Sequence, residues 1–212
     1  LKWDKDALSK LDKRYKVNLC NSLPGVKAAN VIGTVSSQGQ ENLAIFSSVI
    51  HLGSEPFLLG FITRPAKGFL RHTYRNIQDS KYYTINTIPY DMTEKAHYTS
   101  AKVPKEDSEF DVCHIEKIYM NDFPAPFVKQ SPVSVGMKLL HEIPIEFNNT
   151  TFVIGSVEML YIQDTDAIQE NGTIELDRCN IAGIGSLNSY YRLTEKKQFP
   201  YATVDNIPKF TK

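Results

Sequence analysis

Asn42-Leu-Ala-Ile-Phe-Ser-Ser-Val-Ile-His51 is the stretch on which the fold turns. Its β-branched and aromatic residues suit an extended strand, read here over residues 43–52. Two small hydroxyl residues, Ser47 and Ser48, stand in its middle. Upstream, residues 28–36 read as a partner strand, with Ser37-Gln-Gly-Gln40 as the turn between them. Downstream, residues 57–63 give a third strand, and residues 81–88 are β-like, rich in Tyr, Thr and Ile. Residues 134–146 and 150–163 alternate well enough to be long paired strands, with Asn148-Asn149 as turn material. Short β runs punctuated by turn residues dominate, and the strands do not alternate with long helices. That pattern argues against a doubly wound parallel sheet and for a β-barrel with peripheral helices.

Helical periodicity is confined to short segments. Residues 2–15 read as one amphipathic helix with Trp3, Ala7, Leu8, Leu11 and Tyr15 near one face, broken by Asn21-Ser-Leu-Pro-Gly25. Residues 67–77 follow an Arg-Pro break and put Phe69, Thr73 and Ile77 on one face. Residues 93–101 suggest another helix, and residues 109–127 are mixed, closed by Pro124 and Pro126. Residues 164–172 read as a polar loop with a helical turn. The tail after Tyr191 is polar and either wraps the body or hangs free. The division expected is a helical extension over 1–17, one domain over 18–195 and a tail over 196–212.

Lys plus Arg number 24, as do Asp plus Glu, so the formal net charge of zero gives no electrostatic reason to expect nucleic acid or an anionic membrane as partner. Cys20, Cys113 and Cys179 are odd in number, far apart and outside any CxxC pattern. This argues against a structural zinc site or disulfide framework and for reduced cysteines in a cytoplasmic protein. His51, His72, His114 and His141 form no metal-spaced pair, and no metal is assigned. The first fifteen residues are heavily charged, with no apolar stretch of secretory or membrane-spanning type.

Four constellations could carry chemistry. In Asn42–His51, small residues would let a flat ligand approach the backbone; the same run also suits a barrel strand whose serines are satisfied locally. Arg64-Pro-Ala-Lys67 and Arg71-His-Thr-Tyr-Arg-Asn76 place cations and a threonine near a helix start, which suits a phosphate; a solvated basic helix face is the other reading. His97, in Ala96-His-Tyr-Thr-Ser-Ala101, could contact a ligand or donate a proton, or serve only as a hydrogen-bonded structural residue. Gly183-Ile-Gly185-Ser-Leu-Asn188 opens like a GxGxxG loop, but Asn188 stands in place of the third glycine and no βαβ unit surrounds it. These glycines read instead as a loop packed against something flat. No G-x-S-x-G elbow is present.

Taken in order, Asn42 to Ser54, Gly60-Phe-Ile-Thr-Arg-Pro65 and Arg71-His-Thr-Tyr-Arg-Asn-Ile77 resemble the flavin reductase-like, FMN-binding split-barrel family, of which flavoredoxin is a member. Tyr83-Thr-Ile-Asn86, His97-Tyr-Thr-Ser100, Ser108-Glu-Phe110 and Val153-Ile-Gly-Ser-Val157 extend the likeness to most of the chain, residues 18–191. The resemblance implies a mainly β, six-stranded Greek-key split barrel over 18–195 and a homodimer with FMN near its interface. By position, Phe46, Ser47, Ser48 and Val49 would present backbone and hydroxyl groups to the flavin ring, with Asn42 at the start of that segment. Arg64, Arg71 and Thr73 would hold the phosphate, with Lys67 and His72 beside them. His97 and Ser100 would lie near the ring or ribityl chain, and residues 185–190 would close the site. Many members carry Arg-Pro at the first barrel strand and Lys-Asp-Thr before the helix; here Lys27-Ala-Ala-Asn30 and Arg71-His-Thr73 stand there. The implied activity is an NAD(P)H-dependent flavin reductase or oxidoreductase with hydride transfer to flavin N5. The alternative is a non-enzymatic FMN-binding electron carrier.

Overall fold

The computed structural model describes residues 1–65, 71–104 and 106–210. The chain begins with two helices, α1 (Lys5–Lys10) and α2 (Lys13–Ser22), rather than the single one expected over 2–15. The break lies at Asp12, whose carboxylate accepts the N–H groups of Arg14 at 2.8 Å and Tyr15 at 3.1 Å. That cap satisfies the orphan donors of a new helix start. Trp3 and Tyr15 still meet across the break, edge to face, at 6.3 Å between ring centroids. α2 runs on past residue 17 and stops before Gly25, which turns the chain at φ 75°.

The strands follow as β1 (Lys27–Ala28), β2 (Asn30–Val35), β3 (Glu41–Phe46), β4 (Ile50–Ser54) and β5 (Phe57–Thr63). Next come α3 (His72–Ser80), β6 (Tyr82–Thr87), α4 (Thr93–Tyr98), α5 (Glu109–Val112), β7 (Lys117–Ile118) and β8 (Phe127–Val128). The long hairpin β9 (Val133–Ile145) and β10 (Thr150–Ile162) turns at Asn149, whose φ is 57°. A last hairpin is made by β11 (Ala182–Gly185) and β12 (Ser189–Arg192).

The principal sheet runs β3-β2-β6-β9-β10-β5-β4, antiparallel at every pairing, and forms the mainly β split barrel with helices at its periphery. It carries seven strands among the described residues because the run read as one strand over 43–52 is divided into β3 and β4. Ser48 makes the division. Its hydroxyl accepts from Ile62 N at 3.1 Å and donates to Ile62 O at 3.3 Å, so the chain crosses to β5 instead of continuing its ladder with β2.

Both faces of β2 are covered, which explains its continuous apolar character. Ile32 packs inside the barrel with Phe61, Ile77, Tyr83, Ile85, Met137 and Val153. Val31 faces the other way, into a cluster with Leu43, Ile88, Ala96, Phe110 and Ile184. This second cluster fixes α4, α5 and β11 against the sheet, and those elements wall the cavity described below.

The segment read as a glycine loop over 183–188 is in its first part a strand. β11 is wholly buried and pairs with β1 on one side and β12 on the other. A side chain at Gly183 would meet Val26 at 2.4 Å, and one at Gly185 would meet the Tyr191 ring at 2.8 Å, so close approach dictates both glycines. The flat partner is Tyr191. Ser186, at φ 54°, makes the turn into β12. The tail is rooted by Lys196, paired with Glu175 and with Asp177 at 3.3 Å; beyond it Phe199 and Tyr201 are exposed.

Candidate functional site

A cavity of about 1000 Å³ opens where the end of β3, the end of β5, the start of α3 and the segment after α4 converge. That is the size of a small-molecule site. One wall is Asn42, Ala44, Ile45, Phe46, Ser47 and Ser48, with Ile62 and Thr63 beside it. Arg64, Arg71, His72, Thr73 and Tyr74 form one end. His97, Ser100 and Glu109 line the opposite side, and Ile184, Leu187 and Asn188 reach in from the β11–β12 hairpin.

Thus ten of the residues singled out by sequence meet at one cavity: Asn42, Phe46, Ser47, Ser48, Arg64, Arg71, His72, Thr73, His97 and Ser100. Two do not join them. Val49 packs against the barrel core instead of the cavity, because the crossing at Ser48 turns it inward. Lys67 lies outside the described residues. Of residues 185–190, expected to close the site, Leu187 and Asn188 line the cavity. Ser48 is spent on the Ile62 backbone, so its hydroxyl is satisfied locally. The Phe46 ring leans edge to face on Phe61 at 5.0 Å.

The cationic end has a specific construction. α3 begins after Arg71, whose side chain does not cap it; among the described residues no side chain caps this helix start, and its first turn carries no acidic residue. Its first residues, His72 and Thr73, line the cavity beside Arg64 and Arg71, which brings the positive dipole end of the helix to that end of the cavity. Asn42 reaches across from β3 and donates to Thr73 Oγ1 at 2.9 Å, both residues being buried. Arg64 and Arg71 are exposed, and Arg71 donates to Pro65 O at 3.5 Å.

Across the cavity, His97 Nδ1 lies 3.1 Å from the Tyr190 hydroxyl, and Ser100 Oγ donates to His97 O at 2.7 Å. Sequence reading missed Glu109. This carboxylate is 9% exposed and accepts from Leu43 N at 3.0 Å, which ties α5 to β3. Burial pushes its pKa up, partly offset by the backbone N–H groups of Leu43 and of Glu109 itself. The Cys113 thiol is also raised, by burial first and then by the nearby Glu109. The available signal was the N-cap Ser108, whose side chain accepts from Phe110 N and sets Glu109 in a first turn. Among the described residues, no group of three His, Cys, Asp or Glu is placed to hold a metal ion, and no helix is long and apolar enough to cross a membrane.

The family model described as "Flavin reductase like domain" matches residues 25–173, which include β2 to β10 and most of the cavity wall. The chain belongs to the flavin reductase-like family. Among solved structures, this flavin reductase-like chain is similar to a candidate flavin reductase with a split-barrel domain from Shewanella frigidimarina NCIMB 400. That likeness has 40% identity, a TM-score of 0.91, and coverage of 95% of this chain and 100% of that one. Nitrilotriacetate monooxygenase component B from Bacillus cereus shares the fold at TM-score 0.82 and 16% identity, covering 94% and 98% of the two chains. Flavoredoxin of Desulfovibrio vulgaris (Miyazaki F) shares it at TM-score 0.72 and 18% identity, covering 84% and 92%. A flavin-related function follows from the family.

Proposed function

We propose that the cavity binds FMN and that the protein is an NAD(P)H-dependent flavin oxidoreductase. The observation that carries the reading is the joining, in one cavity, of the β3 wall, with small residues at Ala44, Ser47 and Ser48, to the arginine-flanked start of α3. The wall suits a flat ring read by backbone groups, and the helix start suits a phosphate monoester. Donor chemistry and size both fit FMN. Thr73, held by Asn42, and Arg71 would bind the phosphate, with Arg64 and His72 beside them. Phe46 and Ser47 would lie along the ring, and His97 and Ser100 would face its far side. When bound, the flavin supplies the redox chemistry, accepting hydride at N5 from a reduced nicotinamide. The chain's own contribution is to bind, orient and partly enclose that ring.

A homodimer belongs to the same proposal. β4 is an edge strand of the principal sheet, and Ile50, Leu52 and Phe57 stand exposed on the β4–β5 hairpin at 50%, 38% and 58%. An open apolar edge of this kind is suited to burial against a second copy. Sedimentation velocity at micromolar concentration should give the mass of two chains; a single-chain mass would remove this part.

Titration with FMN, followed by flavin fluorescence, tests the cofactor. Anaerobic rapid mixing of the loaded protein with NADH and NADPH then tests the reaction. Loss of the oxidised-flavin absorbance with either donor supports the oxidoreductase. Binding without bleaching by either donor would favour an electron carrier.

A further inference from the structure

His97 is held more firmly than a cavity-lining histidine needs to be. Its imidazole stands edge to face with Tyr98, at 5.5 Å between centroids, and with Tyr190, at 5.9 Å. Its backbone carbonyl is fixed by Ser100 Oγ at 2.7 Å. Its Nδ1 is 3.1 Å from the Tyr190 hydroxyl, contributed by β12 from far along the chain. Nδ1 is thereby taken, and Nε2 has no protein partner among the described residues. His97 lines the cavity, and Nε2 is the ring nitrogen left to meet a ligand there.

The direction of the Nδ1 contact follows from the chemistry of the two groups. A phenol O–H is a good donor and a neutral imidazole nitrogen a good acceptor; the reverse pairing is weaker on both counts. Burial raises the Tyr190 hydroxyl to about 12, so it keeps its proton at neutral pH. With Tyr190 donating to Nδ1, the ring proton of neutral His97 must reside on Nε2.

We infer that Tyr190 is a positioning residue that fixes His97 in its Nε2–H tautomer, making His97 a hydrogen-bond donor to a carbonyl oxygen of the cavity's ligand. The inference rests on the proposed function only for the identity of that ligand. The acceptor is either a carbonyl oxygen of FMN or the carboxamide oxygen of a nicotinamide lying over it. The pair resembles the arrangement in metal sites, where a partner on one imidazole nitrogen decides what the other presents.

The test is ¹⁵N NMR of histidine-labelled full chain, first without ligand. The wild type should show His97 as the Nε2–H tautomer, and Tyr190→Phe, which keeps the ring packing, should show a mixture with Nδ1–H. An unchanged tautomer in Tyr190→Phe overturns the inference. FMN alone, then FMN with NAD⁺, is added next. A shift of the Nε2 resonance with FMN assigns the acceptor to the flavin; a shift only on adding NAD⁺ assigns it to the nicotinamide. No shift with either, while flavin fluorescence reports binding, overturns the donor role and leaves FMN binding standing. Failure of FMN to bind at all removes the proposed cofactor, whereas the ligand-free tautomer still decides the pair. In affinity, His97→Ala should weaken the ligand that moves Nε2 by about fivefold. His97→Gln, which keeps an N–H near Nε2, should stay within about twofold of wild type. Equal losses in the two variants would argue for packing alone.

Discussion

Asn42 Nδ2 donates to Thr73 Oγ1 at 2.9 Å, joining the start of β3 to the first turn of α3. The bond spans the place where the ring-binding wall and the proposed phosphate end meet. It orients the Thr73 hydroxyl, with Asn42 as donor, so that Thr73 is left free to donate its own proton to a ligand oxygen. Thr73→Val keeps the shape and removes the hydroxyl. The expected result is an FMN affinity lower by about tenfold, the scale of one hydrogen bond to a charged group, with riboflavin changed little. Fluorescence titration with both ligands checks it; parallel losses would place Thr73 away from the phosphate. The variant should also lose about 1–3 kcal/mol of stability in urea, because the buried Asn42 amide is left without its acceptor.

The arginines act differently, since both are exposed and screened by salt. Arg64→Ala and Arg71→Ala should each raise the FMN dissociation constant by about fivefold at low salt and by less at high salt. Riboflavin affinity should be insensitive to both. Titrations at two ionic strengths provide the measurement, and a salt-independent loss would point to packing instead of charge.

Glu109 gives a pH dependence. Burial raises its folded-state pKa above the ordinary 4.5, so the folded chain holds this proton to higher pH than the unfolded one. That contribution to stability is complete below 4.5 and is lost as pH rises through the folded value. Glu109→Gln retains an acceptor for Leu43 N and cannot ionise. Its stability relative to wild type should therefore improve as pH rises from 4.5 through the folded value, and then level off, in urea melts. A difference that stays flat across this range would remove ionisation of a buried carboxyl as the cause.

What could be read beforehand divides along physical lines. β5, β9 and β10 were legible because alternation and the Asn148-Asn149 turn are local signals. The division at Ser48 was not, because it is made by Ile62, fourteen residues away, and nothing local forbids one long strand. β11 was hidden for another reason: Ala-Gly-Ile-Gly has no alternation when both faces are covered, and its glycines answer to Val26 and Tyr191. Ten of the residues that line the cavity were picked out beforehand, by chemistry concentrated in two short stretches and His97-Tyr-Thr-Ser100 together with the family resemblance. Glu109 was not, nor was the pairing of Tyr190 with His97, since each contact is made with a partner distant in the sequence, Leu43 and His97.

A last prediction concerns the barrel core. The Tyr83 hydroxyl is buried with no hydrogen-bond partner among the described residues, and burial holds it far above the usual phenol range. It sits where a side chain at Gly155 would lie, 2.3 Å from an added Cβ, at a register irregularity of β10 against β9. Gly155 is therefore needed for close approach, not for an unusual backbone conformation. Gly155→Ala should cost about 1–3 kcal/mol by overpacking. Tyr83→Phe should be neutral or stabilising, because it removes an unpaired buried hydroxyl. The two should couple: in the Tyr83→Phe background, Gly155→Ala should cost less, though not nothing, because Lys138 O would still lie 2.9 Å from the new methyl. Urea denaturation of the four proteins closes the cycle. Strict additivity would mean that Tyr83 yields to the methyl without strain, and the cost would then lie at the Lys138 carbonyl.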